Sequence, residues 1–283
     1  MKIHAIQTGT VAIRPNQLEG VGYGDQRFVN TMSDSRWTEP LPINVWVIEH
    51  PEGIIVIDTG ETSKASNPGY FQDWHPYFKN VKENVKPEEE VGPQLQRLGI
   101  DPSEVTKVIM THLHTDHAGG LHHFPKSEIL VMRNEFQNAS GMEGQKRGFI
   151  PQHWPSWFAP RLIDLEPQKF GPFPTSFKIT KAEDIVIVPT YGHTDAHVSV
   201  LLIQPDLCYF FAGDASYTQE LMLKQRIDGV SSNEQQSTLT LKRINQFVLE
   251  KPTIYMPTHD PLSVVRLSNK DICGSYLKNI SIG

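Results

Sequence analysis

Two cysteines in 283 residues, Cys208 and Cys273, exclude the disulfide framework that staples small secreted domains. Both sit in apolar or ordinary surroundings, which predicts buried free thiols and fits a reducing, cytoplasmic location. No run approaches the roughly 18–20 apolar residues that would span a bilayer, so no membrane span is expected. The opening "MKIHAIQTGTVAI" has one lysine and then alternates apolar with polar residues. It reads as a strand, not as the continuous apolar core of a signal peptide. An excess of positive charge is missing too. Lys and Arg number 26 against 32 Asp and Glu, a net −6, which argues against a nucleic-acid partner held through its phosphates. Repeats and low-complexity tracts are absent. With 38% hydrophobic and 20% charged residues the composition is that of an ordinary globular protein, long enough for a sizeable core. A single domain over 1–283 is expected; the oligomeric state stays open, a homodimer included.

What the chain does have is a series of short apolar runs rich in β-branched residues. They fall at 44–50, 53–60, 107–112, 128–133, 184–190, 197–203, 208–214 and 253–259, with the length and composition of strands. Helical patterns lie between them. "VGPQLQRLG" (91–99) ends on a glycine stop, and 237–251 places Leu239, Ile244, Phe247 and Val248 at helical spacing. This alternation predicts a layered α/β architecture. Two insertions break the pattern, about 61–90 and 141–177. The first carries Tyr70, Phe71, Trp74, Tyr77 and Phe78; the second holds "FIPQHWPSWFAPRL" and "FGPFPTSF". So many rings disfavour disorder. Either they cap an otherwise open core, or some line an apolar substrate pocket, with Trp74, Phe78, Trp154, Trp157 and Phe158 as candidates.

The stretch "THLHTDHAGG" (111–120) puts His112, His114, Asp116 and His117 within six positions, on the loop that leaves an apolar strand, before "HAGGL" opens a helix. Neutral imidazole and carboxylate are the usual donors to zinc and similar metals. Further donors stand where other apolar strands stop: His193, Asp214 and His259. Five histidines and two aspartates exceed what one tetrahedral ion takes; two ions sharing a bridging carboxylate would use all seven.

This pattern, with "IDTG" at 57–60, resembles the metallo-β-lactamase superfamily over roughly 43–60 and 105–260. The resemblance implies an α/β fold, an αββα sandwich of the metallo-β-lactamase type. It assigns His112, His114 and His193 to one metal, Asp116, His117 and His259 to a second, and Asp214 to the bridge. Asp58 would orient the ligand histidines from behind. His197 has either a similar part or a plain structural one; His122 and His123 are set aside on the same ground. Zinc is the expected ion, with cobalt, manganese or iron possible on these donors.

Two metals imply hydrolysis by a bridging hydroxide, but neither fold nor metal names the substrate. Tyr217, three positions after Asp214, sharpens the reading, although a tyrosine there also has a packing role open to it. With its Asp-x-x-Tyr spacing, "GDASYTQE" resembles the N-acyl-homoserine lactonases, the quorum-quenching lactonases of this superfamily, as do "THLHTDHAGG" and "TYGHTDAHVSVLL". Asp195 and Ala196 replace the proline and glycine usual in that last motif. The family implies that Tyr217 meets the substrate carbonyl and that Asp116 delivers the proton to the leaving alkoxide. Competing readings are a thioesterase of the glyoxalase II type, a phosphotriesterase-like hydrolase, an iron-dependent oxidoreductase and, least favoured, a metal-free binding module.

Overall fold

A computed structural model describes residues 1–274, and these divide into two compact units, 1–163 and 164–274. Each is built on one sheet, so the chain is mixed α/β with two sheets.

In the first unit seven strands run in the order β4-β1-β2-β3-β5-β6-β7. They are β1 (Lys2–Ile13), β2 (Leu41–His50), β3 (Gly53–Ile57), β4 (Val81–Asn84), β5 (Val105–Ile109), β6 (Glu128–Met132) and β7 (Arg161–Ile163). The β4-β1-β2-β3 portion is antiparallel, and β3, β5, β6 and β7 pair in parallel. Register slips between Gln7 and Thr10, where Gly9 adopts φ +80°. A side chain is excluded at Gly9, because a Cβ would meet the Asn84 carbonyl at 2.5 Å. That bulge lets the far end of β1 pair with β4 as well as β2. Val45, Val47, Val56 and Val108 share a core with Val91 and Leu95 of the helix Val91–Arg97.

The second unit holds β8 (Phe177–Lys178), β9 (Ile185–Pro189), β10 (Val198–Ile203), β11 (Cys208–Gly213) and β12 (Thr253–Pro257), in the order β12-β11-β10-β9-β8. Strands β11 and β12 are parallel and wholly buried, which explains their unbroken apolar runs. The helix Glu234–Glu250 starts where the Asn233 side chain accepts the Gln236 N–H at 3.0 Å. It lays Leu241, Ile244, Phe247 and Val248 on Val186, Phe210 and Tyr255. Leu239, expected on that apolar face, is instead 39% exposed, and Leu241 takes its place one turn ahead of Ile244. Cys208 and Cys273 are buried free thiols, as composition predicts, and burial pushes both up to about 12. Among the described residues no helix is long and apolar enough to cross a membrane.

Candidate metal centre

Strand β5 ends at Ile109, and the Met110 N–H then donates to the Leu130 carbonyl at 3.0 Å. The loop beyond Met110 is anchored from behind by Asp58, which holds a left-handed backbone (φ 58°) that costs a residue with a Cβ about 1–2 kcal/mol. In that position its carboxylate accepts the Thr111 N–H at 2.7 Å, the Thr111 hydroxyl at 2.8 Å and His117 Nδ1 at 2.8 Å. These bonds offset the strain and set the tautomers. His117 must carry its proton on Nδ1. Thr111, having given its only hydroxyl proton to Asp58, accepts from His112 Nδ1 at 3.1 Å. Both rings therefore keep an Nε2 lone pair for a metal. His112 Nε2 also lies 3.0 Å from His114 Nδ1. Neighbouring nitrogens on a tetrahedral zinc with 2.0–2.1 Å bonds are about 3.3 Å apart, so this spacing suits two ligands of one ion.

The helix begins at Thr115, two residues earlier than the sequence pattern suggests. The His114 carbonyl accepts the N–H groups of His117 (3.1 Å) and Ala118 (2.9 Å), so Asp116 and His117 belong to a helical first turn. The glycines Gly119 and Gly120 answer to close packing. A Cβ on Gly119 would lie 2.1 Å from Glu61 Oε1, and one on Gly120 would lie 2.2 Å from the Thr59 carbonyl. Buried Glu135 accepts the Leu113 N–H at 3.1 Å and holds the middle of the ligand stretch, a part the sequence did not disclose.

In the second unit the donors again come after strand ends: His193 after β9, Asp214 directly after β11 and His259 after β12. Asp214 spans the other two. Its Oδ2 lies 3.5 Å from His193 Nε2 and its Oδ1 lies 3.4 Å from His259 Nε2. Each carboxylate oxygen thus sits at ligand-edge distance from a different imidazole, the arrangement a bridging carboxylate requires. His197 settles into an orienting role. Its Nε2 accepts the Asp214 N–H at 3.0 Å while Nδ1 meets Thr190 Oγ1 at 2.9 Å, so it fixes the backbone of Asp214. Asp228, missed in the sequence, lies 3.4 Å from His193 Nδ1 and accepts the Ser231 hydroxyl and the Val230 N–H. Burial alone would raise its pKa; the His193 and Ser231 contacts outweigh it and leave the carboxyl below its usual value. Asp228-Gly229 reads only as a turn signal in sequence, and nothing there points to His193. The buried Tyr217 ring stacks on His259 (centroids 5.5 Å, 27°) and stands edge-on to His193 at 6.5 Å.

The aromatic candidates part company. Phe78 is buried in a cluster with Tyr70, Phe71 and Ile150, and Trp154 and Phe158 pack on Phe136 and the first unit's core. Trp74 (56%) and Trp157 (41%) are exposed. Within the first unit a cavity of about 190 Å³ is lined by Thr62, Tyr70, Thr115, His122, Ile150 and Trp154, among others.

The family model described as the metallo-β-lactamase superfamily matches residues 38–259. The chain belongs to this superfamily. As a member of it, the chain is 27% identical over 228 residues to an N-acyl homoserine lactonase of a Bacillus species, covering 78% of this chain and 82% of that one. It is 22% identical over 282 residues to the N-acyl homoserine lactonase AttM of Rhizobium radiobacter, covering 92% and 94%. Among solved structures, an N-acyl homoserine lactone hydrolase with the product N-hexanoyl-L-homoserine at its catalytic metal centre superposes with a TM-score of 0.72 at 20% identity, over 92% and 93% of the chains. AidC, described as a dizinc quorum-quenching lactonase, gives 0.64 at 14% identity, over 92% and 87%. The two-sheet α/β fold of this chain is that of these superfamily neighbours. The donors present here, imidazole nitrogens with defined tautomers and carboxylate oxygens, fit divalent metal of the zinc class.

Proposed function

We propose that this superfamily member opens the lactone ring of N-acyl-homoserine lactones, using two divalent ions, zinc first among them, held by His112, His114, Asp116, His117, His193, Asp214 and His259. When bound, such ions supply an activated water as nucleophile at neutral pH and a Lewis acid for the carbonyl. The observation that carries the substrate reading is Tyr217, stacked on His259 and edge-on to His193, three residues beyond Asp214. Its hydroxyl donates to the lactone carbonyl oxygen as negative charge grows there. Asp116 takes up the proton that the attacking water oxygen gives up on adding to the carbonyl carbon and passes it to the ring oxygen as the carbon–oxygen bond breaks. Asp58, His197 and Asp228 hold the ligands in place and touch no substrate. Trp154 and Ile150 line the cavity beside Thr115, which suits an acyl chain, with Phe158 packed behind Trp154 at 5.3 Å and Phe78 behind Tyr70 and Ile150. Trp74 and Trp157 are exposed and do not line that cavity.

The test is hydrolysis of hexanoyl- and decanoyl-homoserine lactone, with and without chelator, beside a glutathione thioester and an aryl phosphotriester. Metal-dependent ring opening that exceeds the other two reactions is expected. Failure to open either lactone, or faster thioester or phosphotriester cleavage, overturns the lactonase reading.

A further inference from the structure

A second group of imidazole and carboxylate donors converges in the first unit and shares no residue with the seven proposed ligands. Glu90, buried, stands just ahead of the helix Val91–Arg97. Its Oε1 is taken, accepting the Ser63 N–H at 2.8 Å, the Ser63 hydroxyl at 2.6 Å and the Thr62 hydroxyl at 3.2 Å. The other oxygen, Oε2, faces two imidazoles, His122 Nε2 at 3.1 Å and His123 Nε2 at 2.8 Å. The two rings lie 4.0 Å apart with a 38° tilt.

Tautomers decide what this convergence means. His122 Nδ1 lies 3.2 Å from the Gly119 carbonyl, which can only accept, so that nitrogen carries the proton. With Nε2 unprotonated, His122 turns a lone pair toward an anionic oxygen, an arrangement that repels unless a proton or a metal ion is shared between them. A ligand imidazole that donates its other N–H to a backbone carbonyl is also the usual way such rings are held on a metal. His123 is kept in place by Gly92, where a Cβ would fall 2.3 Å from its Nδ1. The Ser63 N–H and the Ser63 and Thr62 hydroxyls all donate to Oε1 and favour the anionic carboxylate.

We propose that Glu90, His122 and His123 form a further divalent-metal site, taking zinc or a similar borderline ion on two imidazoles and one carboxylate. His122 is 39% exposed at its side chain and lines the cavity beside Thr62 and Gly119, so an ion reaches the site from solvent and keeps room for water. The ion fastens three separate stretches: Thr62–Ser63, the start of the helix Val91–Arg97, and the turn Gly119–His123 that continues the ligand-bearing helix. Its part is a clamp on the segment that carries Asp116 and His117.

The experiment counts bound zinc by mass spectrometry after metal-stripped protein is incubated with micromolar zinc and passed through a desalting column. Parent, His122→Ala and Glu90→Gln are compared, and each is melted with and without zinc. The parent should retain one equivalent more than either variant and gain more thermal stability from zinc. Because the reading is a difference, it decides the matter whatever number of ions the seven-ligand set holds. His122 is exposed enough that its loss leaves the fold intact. Equal zinc retention by parent and His122→Ala overturns the proposal and leaves an ion-pair cluster only.

Discussion

Tyr217 and Asp228 lie in the same unit and ask for opposite experiments. Tyr217 is proposed to touch substrate, so Tyr217→Phe should lower kcat by roughly 10- to 100-fold, at or below the low end of the roughly 100- to 1000-fold that one lost oxyanion donor costs, because metal shares the load. Zinc content should stay at the parent value. Unchanged turnover would return Tyr217 to a packing role under His259. Asp228 works through His193, so Asp228→Asn should weaken retention of the ion at His193 by about 10- to 100-fold. Competition with a chelator reads this directly, and an affinity equal to the parent's would show that the 3.4 Å contact orients nothing. Asp58 is legible in the sequence because it stands in a motif beside the strand that ends before it. Asp228 is not, since a lone acid in an irregular stretch reveals its partner only once the chain is folded.

Elements are legible in proportion to their apolar content. The eight β-branched runs are all strands, because burial demands side chains that fill a pleated, covered surface. Strand β4, "VKEN", escapes notice because it is a polar edge strand whose place is set by pairing with β1, and the helix Asp25–Ser33 because it is short and buries Arg27 and Thr31 while Phe28 and Val29 stay exposed. Neither buries a periodic apolar face that would set it apart from irregular chain. Strand β4 has a consequence for pH. Its Glu83 faces Glu61, and burial pushes Glu61 up to about 7 while Glu83 rises too, with the repulsion from Glu61 adding to burial. Such a pair keeps its proton in the folded chain and loses it in the unfolded one between the ordinary carboxylate range and neutrality. Its contribution to stability is fully present below about pH 4.5 and fades as pH rises through about 7. Glu61→Gln should therefore melt with less dependence on pH between 5 and 8 than the parent. Parallel melting curves against pH for the two proteins would refute the shared proton.

At the scale of the whole molecule, the seven proposed ligands run from His112 to His259 and arrive on the ends of β5, β9, β11 and β12. The unfolded chain scatters them, so it presents no comparable site, and the proposed ions would bind the native state alone. By linkage each ion then adds RT ln(1 + [M]/Kd), about 4 kcal/mol when free metal stands a thousandfold above Kd. Two such ions correspond to roughly 15–30 °C in melting temperature at about 2–4 °C per kcal/mol. Stripping with a strong chelator should lower Tm by an amount of this order, and returning zinc should restore it. His112→Ala should lose part of the response, since it removes a donor whose lone pair is already directed by Thr111 and Asp58. A chelated protein that melts where the loaded one does would mean that the folded chain does not hold these ions tightly, and the proposed hydrolysis would lose its nucleophile.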